Sequence, residues 1–156
     1  MLRFFKNSPI SPLHLKENVT VEVFQVGRLI RTEHAHNLIT NAGKNLISRL
    51  LAGTSADSIG YLAIGVGNTA PTVGDTELQD ERYRMAITRH VVDSAYYMLT
   101  TQTYIGSTEA NALSIREAGL WTAGLGGTMF ARVVHAPVEK NEDITLVYSW
   151  SIQAIV

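Results

Sequence analysis

Between Ile144 and Ile152, Ile144, Leu146, Tyr148, Trp150 and Ile152 recur at every second position, while Thr145, Ser149 and Ser151 lie between them. A spacing of two puts the five large side chains on one face of an extended chain. Such a segment reads as a half-buried strand whose apolar face needs a second layer to cover it. The same period recurs upstream. Val19, Val21 and Val23 alternate with Thr20, Glu22 and Phe24, and Gly27 then offers a turn after which Leu29 to Thr32 return antiparallel. "YLAIGVG" from Tyr61 reads as a buried strand. "RMAITRHVV" and "AYYMLTTQTYI" read as two long strands around an Asp93-Ser94 hairpin turn, the second with Tyr97, Leu99, Thr101, Thr103 and Ile105 on one face. "LSIREAGLWTA" follows, with a bulge expected at Ala118-Gly119, and "MFARVVHAPV" makes a further strand, closed by the polar turn "EKNED".

One segment changes period. In "NLITNAGKNLISRLLAG", Leu46, Ile47, Leu50 and Leu51 follow the spacing of a helix face, with Thr40 or Asn41 as N-cap and Gly53 as the stop. Seven to nine strands with one short helix predict a mainly β chain, a β-sandwich or jelly-roll-like domain. Residues 19–156 form that body. Residues 1–18 read as an extended N-terminal docking arm. Pro9 and Pro12 push the residues before them toward extended backbone, yet Leu2, Phe4, Phe5, Ile10, Leu13 and Leu15 give the stretch more apolar surface than a free tail carries. The anchors expected on a neighbouring subunit are Phe4, Phe5, Ile10 and Leu13; packing on the arm's own body is the plainer alternative.

The 156 residues suffice for one sizeable core. A formal net charge of −1 gives no general attraction for nucleic acid or an anionic membrane, so neither is expected as a partner. The absence of cysteine removes disulfides, thiolate metal sites and a cysteine nucleophile. No apolar run approaches the roughly 18 residues of a membrane span. The first residues lack the apolar core and cleavage pattern of a signal peptide, which points to synthesis in a cytoplasm.

The chemical motifs weigh little. "GVGNTA" has the glycine spacing of a phosphate loop only loosely. Pro71 follows it, no helical pattern begins there, and no Lys-Ser or Lys-Thr pair is present, so an architectural connection is the better reading. In that connection Gly65 and Gly67 let the chain leave the strand sharply, and Asp75-Thr76 start a turn of helix. His34 and His36 share a strand face beside Glu33 but lack two further ligands, and His14, His90 and His135 are scattered. No Gly-x-Ser-x-Gly elbow occurs, and of Asp75, Glu77, Asp80, Glu81, Glu139, Glu142 and Asp143 most fall in expected turns, as solvated carboxylates do. Glu117 is different: it stands among apolar residues and is expected to pair with Arg116, Arg132 or Arg84, or to accept backbone N–H groups. Tyr96, Tyr97, Tyr104, Trp121, Tyr148 and Trp150 are candidates for a sugar-binding face, against the plainer expectation of core or interface. No catalytic residue, cofactor or metal is expected.

Four phrases together resemble a known family. "HNLITNAGKNLISRLL" resembles an Asn-Leu-hydrophobic-Thr-Asn-Ala-Gly segment of small virion proteins of tailed bacteriophages. "YLAIGVGNTAPTVGDTEL" is similar to their strand, Gly-x-Gly-x-Thr-x-Pro loop and Asp-Thr-x-Leu, and "IREAGLW" and "GTMFARVV" are similar to a pair of later strands in the same order. The match spans about residues 19–152. The resemblance implies a homo-oligomeric virion part, capsid decoration or head-fibre on one side, tail-fibre or baseplate on the other. With no long fibre or receptor-binding region following Trp150, a trimeric cement protein on the outside of the shell is expected, bound to the major capsid protein with the arm laid across neighbouring shell subunits. A tail or baseplate adaptor, contacting tail proteins, is the alternative, and a carbohydrate-binding module is the alternative of another class.

Overall fold

The structure, a computed structural model, describes residues 12–155. Ten strands and one helix occupy them: β1 His14–Gln25, β2 Arg28–Ala35, β3 Asn37–Ile39, α1 Asn41–Leu51, β4 Tyr61–Gly65, β5 Glu81–Ala86, β6 Arg89–Asp93, β7 Met98–Ile105, β8 Leu113–Trp121, β9 Met129–Lys140 and β10 Ile144–Ile155. The strands form two five-stranded antiparallel sheets, ordered β2-β1-β10-β7-β6 and β3-β9-β8-β4-β5. This is the β-sandwich with one short helix that the alternation predicts.

The alternating residues do what their spacing requires. Val19 pairs with Trp150 and Val21 with Tyr148, and all four side chains are buried. They meet Leu62, Ile64, Ile115, Leu120, Phe130 and Val133 of the other sheet in one core. Fully burying a side chain of this size contributes about 1.5–3 kcal/mol, so the facing rows hold the layers together. Val26 and Gly27 both have positive φ, 47° and 78°, the geometry of a two-residue hairpin turn whose twist suits the flanking strands.

Both edges of the sandwich are closed by chain that passes straight from one sheet to the other. The edge strands β2 and β3 are separated by His36 alone, and β5 and β6, at the other edge, by Ile87 and Thr88. The sequence reads residues 84–92 as one long strand. The structure bends it at Ile87-Thr88, so that Glu81–Ala86 pairs with β4 and Arg89–Asp93 with β7. The turn after β6 is also longer than the expected Asp93-Ser94. It runs through Tyr97, whose φ of 52° removes it from the strand face assigned to it, and the Asp93 carboxylate accepts the N–H of Ala95 at 3.0 Å and of Tyr96 at 3.3 Å. Ala118 and Gly119 pair regularly with Val133 and Arg132; the register shifts lie on either side, at Ile115/Glu117 and Leu120/Trp121.

Helix α1 begins at Thr40, whose hydroxyl accepts the Gly43 N–H at 2.9 Å and donates to the Met129 carbonyl at 2.7 Å. Gly43 is required by proximity: a Cβ there would overlap the Phe130 carbonyl oxygen. Leu46 is buried, but of the predicted face Leu50 is 42% and Leu51 84% exposed.

Candidate functional site

Two regions collect the residues singled out in the sequence. The first is the glycine-rich connection after β4. Its amides point inward, as a phosphate loop's would, but the chain itself supplies the anion. Glu117, fully buried on β8, accepts the N–H groups of Gly67 at 3.1 Å and Asp80 at 2.8 Å on Oε1, and that of Gln79 at 3.0 Å on Oε2. The Gln79 Oε1 accepts the next two loop amides, Asn68 at 2.8 Å and Thr69 at 2.9 Å.

Arg132, 2% exposed on β9, completes the network. Its Nε and Nη2 donate to Glu117 Oε2 at 3.0 and 2.9 Å, its Nη1 to Asp75 Oδ2 at 2.7 Å, and its Nη2 also to the Thr69 carbonyl at 3.0 Å. Charge-assisted bonds of this kind offset the cost of burying the pair. Burial pushes the Asp75 carboxyl up, but hydrogen bonds from Thr72 and Arg132 outweigh it and leave the group below its ordinary value. Asp75 starts no helix: its carboxylate accepts the Thr72 N–H at 3.0 Å and hydroxyl at 2.6 Å, closing a turn. Nor do Gly65 and Gly67 serve a sharp exit. A Cβ would overlap the Asp80 carbonyl oxygen at Gly65 and meet Glu117 Oε1 at 2.5 Å from Gly67, so both are glycine because loop and carboxylate approach closely. This region is a staple that fixes residues 66–80 on the second sheet.

The second region is a groove. On the core-facing side of the first sheet, Glu17, Ile152, Leu99 and Val92 stand in register across β1, β10, β7 and β6, with Leu15 opposite Ala154 in the next row. One row further in, Val19, Trp150 and Thr101 are buried to 1% or less. In the outer rows cover is lost: Leu15, Leu99 and Ile152 are half-buried and Val92 is 75% exposed. The opposite wall is α1, which presents Lys44, Ile47 and Leu50, beside Ile59. Between the walls lies an apolar hollow of about 400 Å³, which continues past Leu15 into one of about 460 Å³ beside Val92, Tyr97 and Met98. Leu15 also borders a more polar hollow of about 370 Å³ around Glu17, Leu38 and Lys44.

Glu17 is the unusual group here. Burial pushes its carboxyl up to about 7 from 4.5, and the nearby Lys44 ammonium counters this only in part. Oε1 of Glu17 and both polar atoms of the Asn37 side chain have no hydrogen-bond partner among the described residues.

Of the expected arm anchors, Leu13 lies at the lip of the groove, 69% exposed. Phe4, Phe5 and Ile10 fall outside the described residues. The six candidate aromatics do not share a face. Trp121, Tyr148 and Trp150 are buried, and the Tyr148 hydroxyl donates to His135 Nε2 at 2.8 Å, while His135 Nδ1 donates to the Ala136 carbonyl. Burial holds the His135 imidazole below its ordinary pKa, which keeps it neutral in this role. Tyr96, Tyr97 and Tyr104 are exposed. His34 lies on β2 with its Nδ1 3.3 Å from the Thr20 hydroxyl, and His36 stands outside the strand. No group of three or more His, Asp or Glu side chains among the described residues is placed to hold a metal ion.

Sequence reasoning misses the groove, although Ile47, Leu50, Leu99 and Ile152 of its walls belong to apolar series that the periodicity marks. Strand length leaves it open: β1 and β10 run for 12 residues each, against 3 for β3 and 5 for β4 in the facing sheet. Against protein-family models, curated proteins and solved structures, the chain has no match.

Proposed function

We propose that this chain is a structural protein of a tailed-bacteriophage virion, a decoration or cement protein that binds the outside of the shell as an oligomer. The observation that carries the reading is the groove at the root of the arm. An apolar surface of this extent, opening beside Leu13, suits a chain that lives in an assembly. The sequence resemblance supplies the kind of assembly. The polar side of the molecule fits a passive role, because the loop shaped like an anion cradle is filled by Glu117 of the same chain. Stabilisation of the shell would come from burial at about 25 cal/mol per Å² of apolar area less the ordering costs, multiplied by the avidity of many copies.

Cryo-microscopy of intact particles tests this. A shell decoration is expected at hundreds of copies on the outer capsid surface. A handful to a few tens at the tail would establish the adaptor reading instead, and absence from particles would remove both. A glycan-binding screen with Tyr96 and Tyr97 substitutions addresses the carbohydrate-binding reading, which is weakened by the burial of Trp121, Tyr148 and Trp150.

A further inference from the structure

We infer that the groove between α1 and the outer rows of β1, β10, β7 and β6 receives the apolar segment Leu2–Ile10 of a second copy of this chain, so that copies join by exchanging arms. The inference rests on the reading that the chain assembles with itself, and not on the assembly being a virion.

Three observations carry it. The first is position. The described chain enters at Pro12 and Leu13, and Leu13 lines the groove, so the residues that precede Pro12 join the body at the groove's own mouth. Those residues hold Leu2, Phe4, Phe5 and Ile10, large apolar groups in need of cover. Ten extended residues reach at most ~35 Å, enough to cross from one small domain to the groove of its neighbour.

The second is backbone pairing. β1 pairs with β10 from His14 onward, but its pairing with β2 begins only at Val19↔Ala35. On that side residues 14–18 have no strand partner among the described residues. The N–H and C=O groups of that edge, unpaired among the described residues, run beside the hollow that Leu13, Leu15 and Glu17 border. An extended segment can add there as a strand and lay alternate side chains into that hollow, which adjoins the apolar groove at Leu13 and Leu15.

The third distinguishes a second copy from the same one. Ile10 is three residues from Leu13, so to fill its own groove the chain must reverse between Ser8 and Pro12. The arm of a second copy can enter the groove without such a reversal. An arm given to one neighbour and a groove filled by another make a head-to-tail interface, which closes into a ring when the rotation allows it.

The chain has no cysteine, which makes the test direct. Full-length Phe5→Cys and Leu50→Cys chains, one carrying a size tag, are mixed, refolded together and treated with a short bismaleimide. Cross-linked product with the mass of one tagged plus one untagged chain is expected. In parallel, the full chain is expected to sediment as an oligomer at micromolar concentration. Phe4→Glu/Phe5→Glu, whose changes lie outside the described residues, should weaken that association at least tenfold while leaving unchanged the thermal midpoint read at submicromolar concentration, where association is suppressed. A monomeric full chain overturns the inference. So does an oligomer indifferent to the double substitution, or a chain with both cysteines that cross-links only within itself. Copy number and location on particles do not bear on these outcomes, so this inference and the virion reading fail separately.

Discussion

The glycine loop and the groove make opposite use of the same sandwich. Around Glu117 every loop amide that turns inward meets an oxygen of its own chain, and Arg132 spends its donors on Glu117, Asp75 and Thr69. Around Leu15 the apolar rows go on after their cover has stopped, and Glu17 keeps an oxygen with no partner among the described residues. A region whose groups are mutually satisfied has little left for a ligand. A region whose apolar groups remain half-covered gains by acquiring one. The contrast predicts that damage at the loop appears in folding, and damage at the groove in association.

The largest effect is expected from Arg132→Met. It leaves Glu117 buried with its countercharge removed, and breaking a buried pair in this way costs about 3–5 kcal/mol. Urea unfolding should show a midpoint shift of that size with an unchanged slope. A change below about 1 kcal/mol would mean that the loop is not held by this network.

Next in size is Gly43→Ala. The new methyl would overlap the Phe130 carbonyl oxygen, so α1 must lift from β9. Overpacking of this sort costs about 1–3 kcal/mol, although alanine is the better helix former. Thermal denaturation measures it. A stabilised variant would show that α1 floats on the sheet, and the groove would lose its fixed wall.

Much of the loop region is legible in the sequence, and for physical reasons. A carboxylate among apolar residues must be paired, so the neighbours of Glu117 in the sequence are enough to demand a partner for it. The choice among three arginines depends on register. Gly119 faces Arg132 across β8 and β9, which sets Arg132 diagonally beside Glu117 on the same face. Arg84 is committed to Glu81 and lies over the Trp121 ring at 3.7 Å. The bend at Ile87-Thr88 is not legible, because neither glycine nor proline marks it and the alternation runs through. The groove is least legible of all. Where the cover of Leu99 and Ile152 ends depends on strands distant in sequence, and no local period reports that.

A smaller effect separates the two regions by pH. With its carboxyl raised to about 7 in the fold against 4.5 as the ordinary value, Glu17 releases its proton more readily unfolded than folded. Its contribution is therefore fully favourable below about pH 4.5 and is lost as pH rises toward 7 and beyond. Glu17→Gln should flatten that part of the stability profile and stabilise the protein at pH 8. Glu17 is partly solvated, so the gain is about 1 kcal/mol after screening, well under the full shift. Denaturant midpoints of both proteins at pH 4, 6 and 8 check the sign. Parallel profiles would mean that solvent reaches Glu17 freely.

The smallest effect on folding is expected at the groove itself, and its smallness is informative. Leu50 lies on α1 one turn beyond Leu46; the first is 42% exposed and the second 1%. Leu50→Gln removes a side chain that the isolated body leaves half in water, and both residues are good helix formers. Its stability should stay within about 0.5 kcal/mol of the parent, as exposed substitutions do. Leu46→Ala, by comparison, should lose about 2–5 kcal/mol. Measured by chemical denaturation at submicromolar concentration, where any self-association is suppressed, the Leu50 variant reports on the body alone. If it proves as costly as the Leu46 change, Leu50 belongs to the core, and the groove is narrower than its rows of half-covered side chains imply.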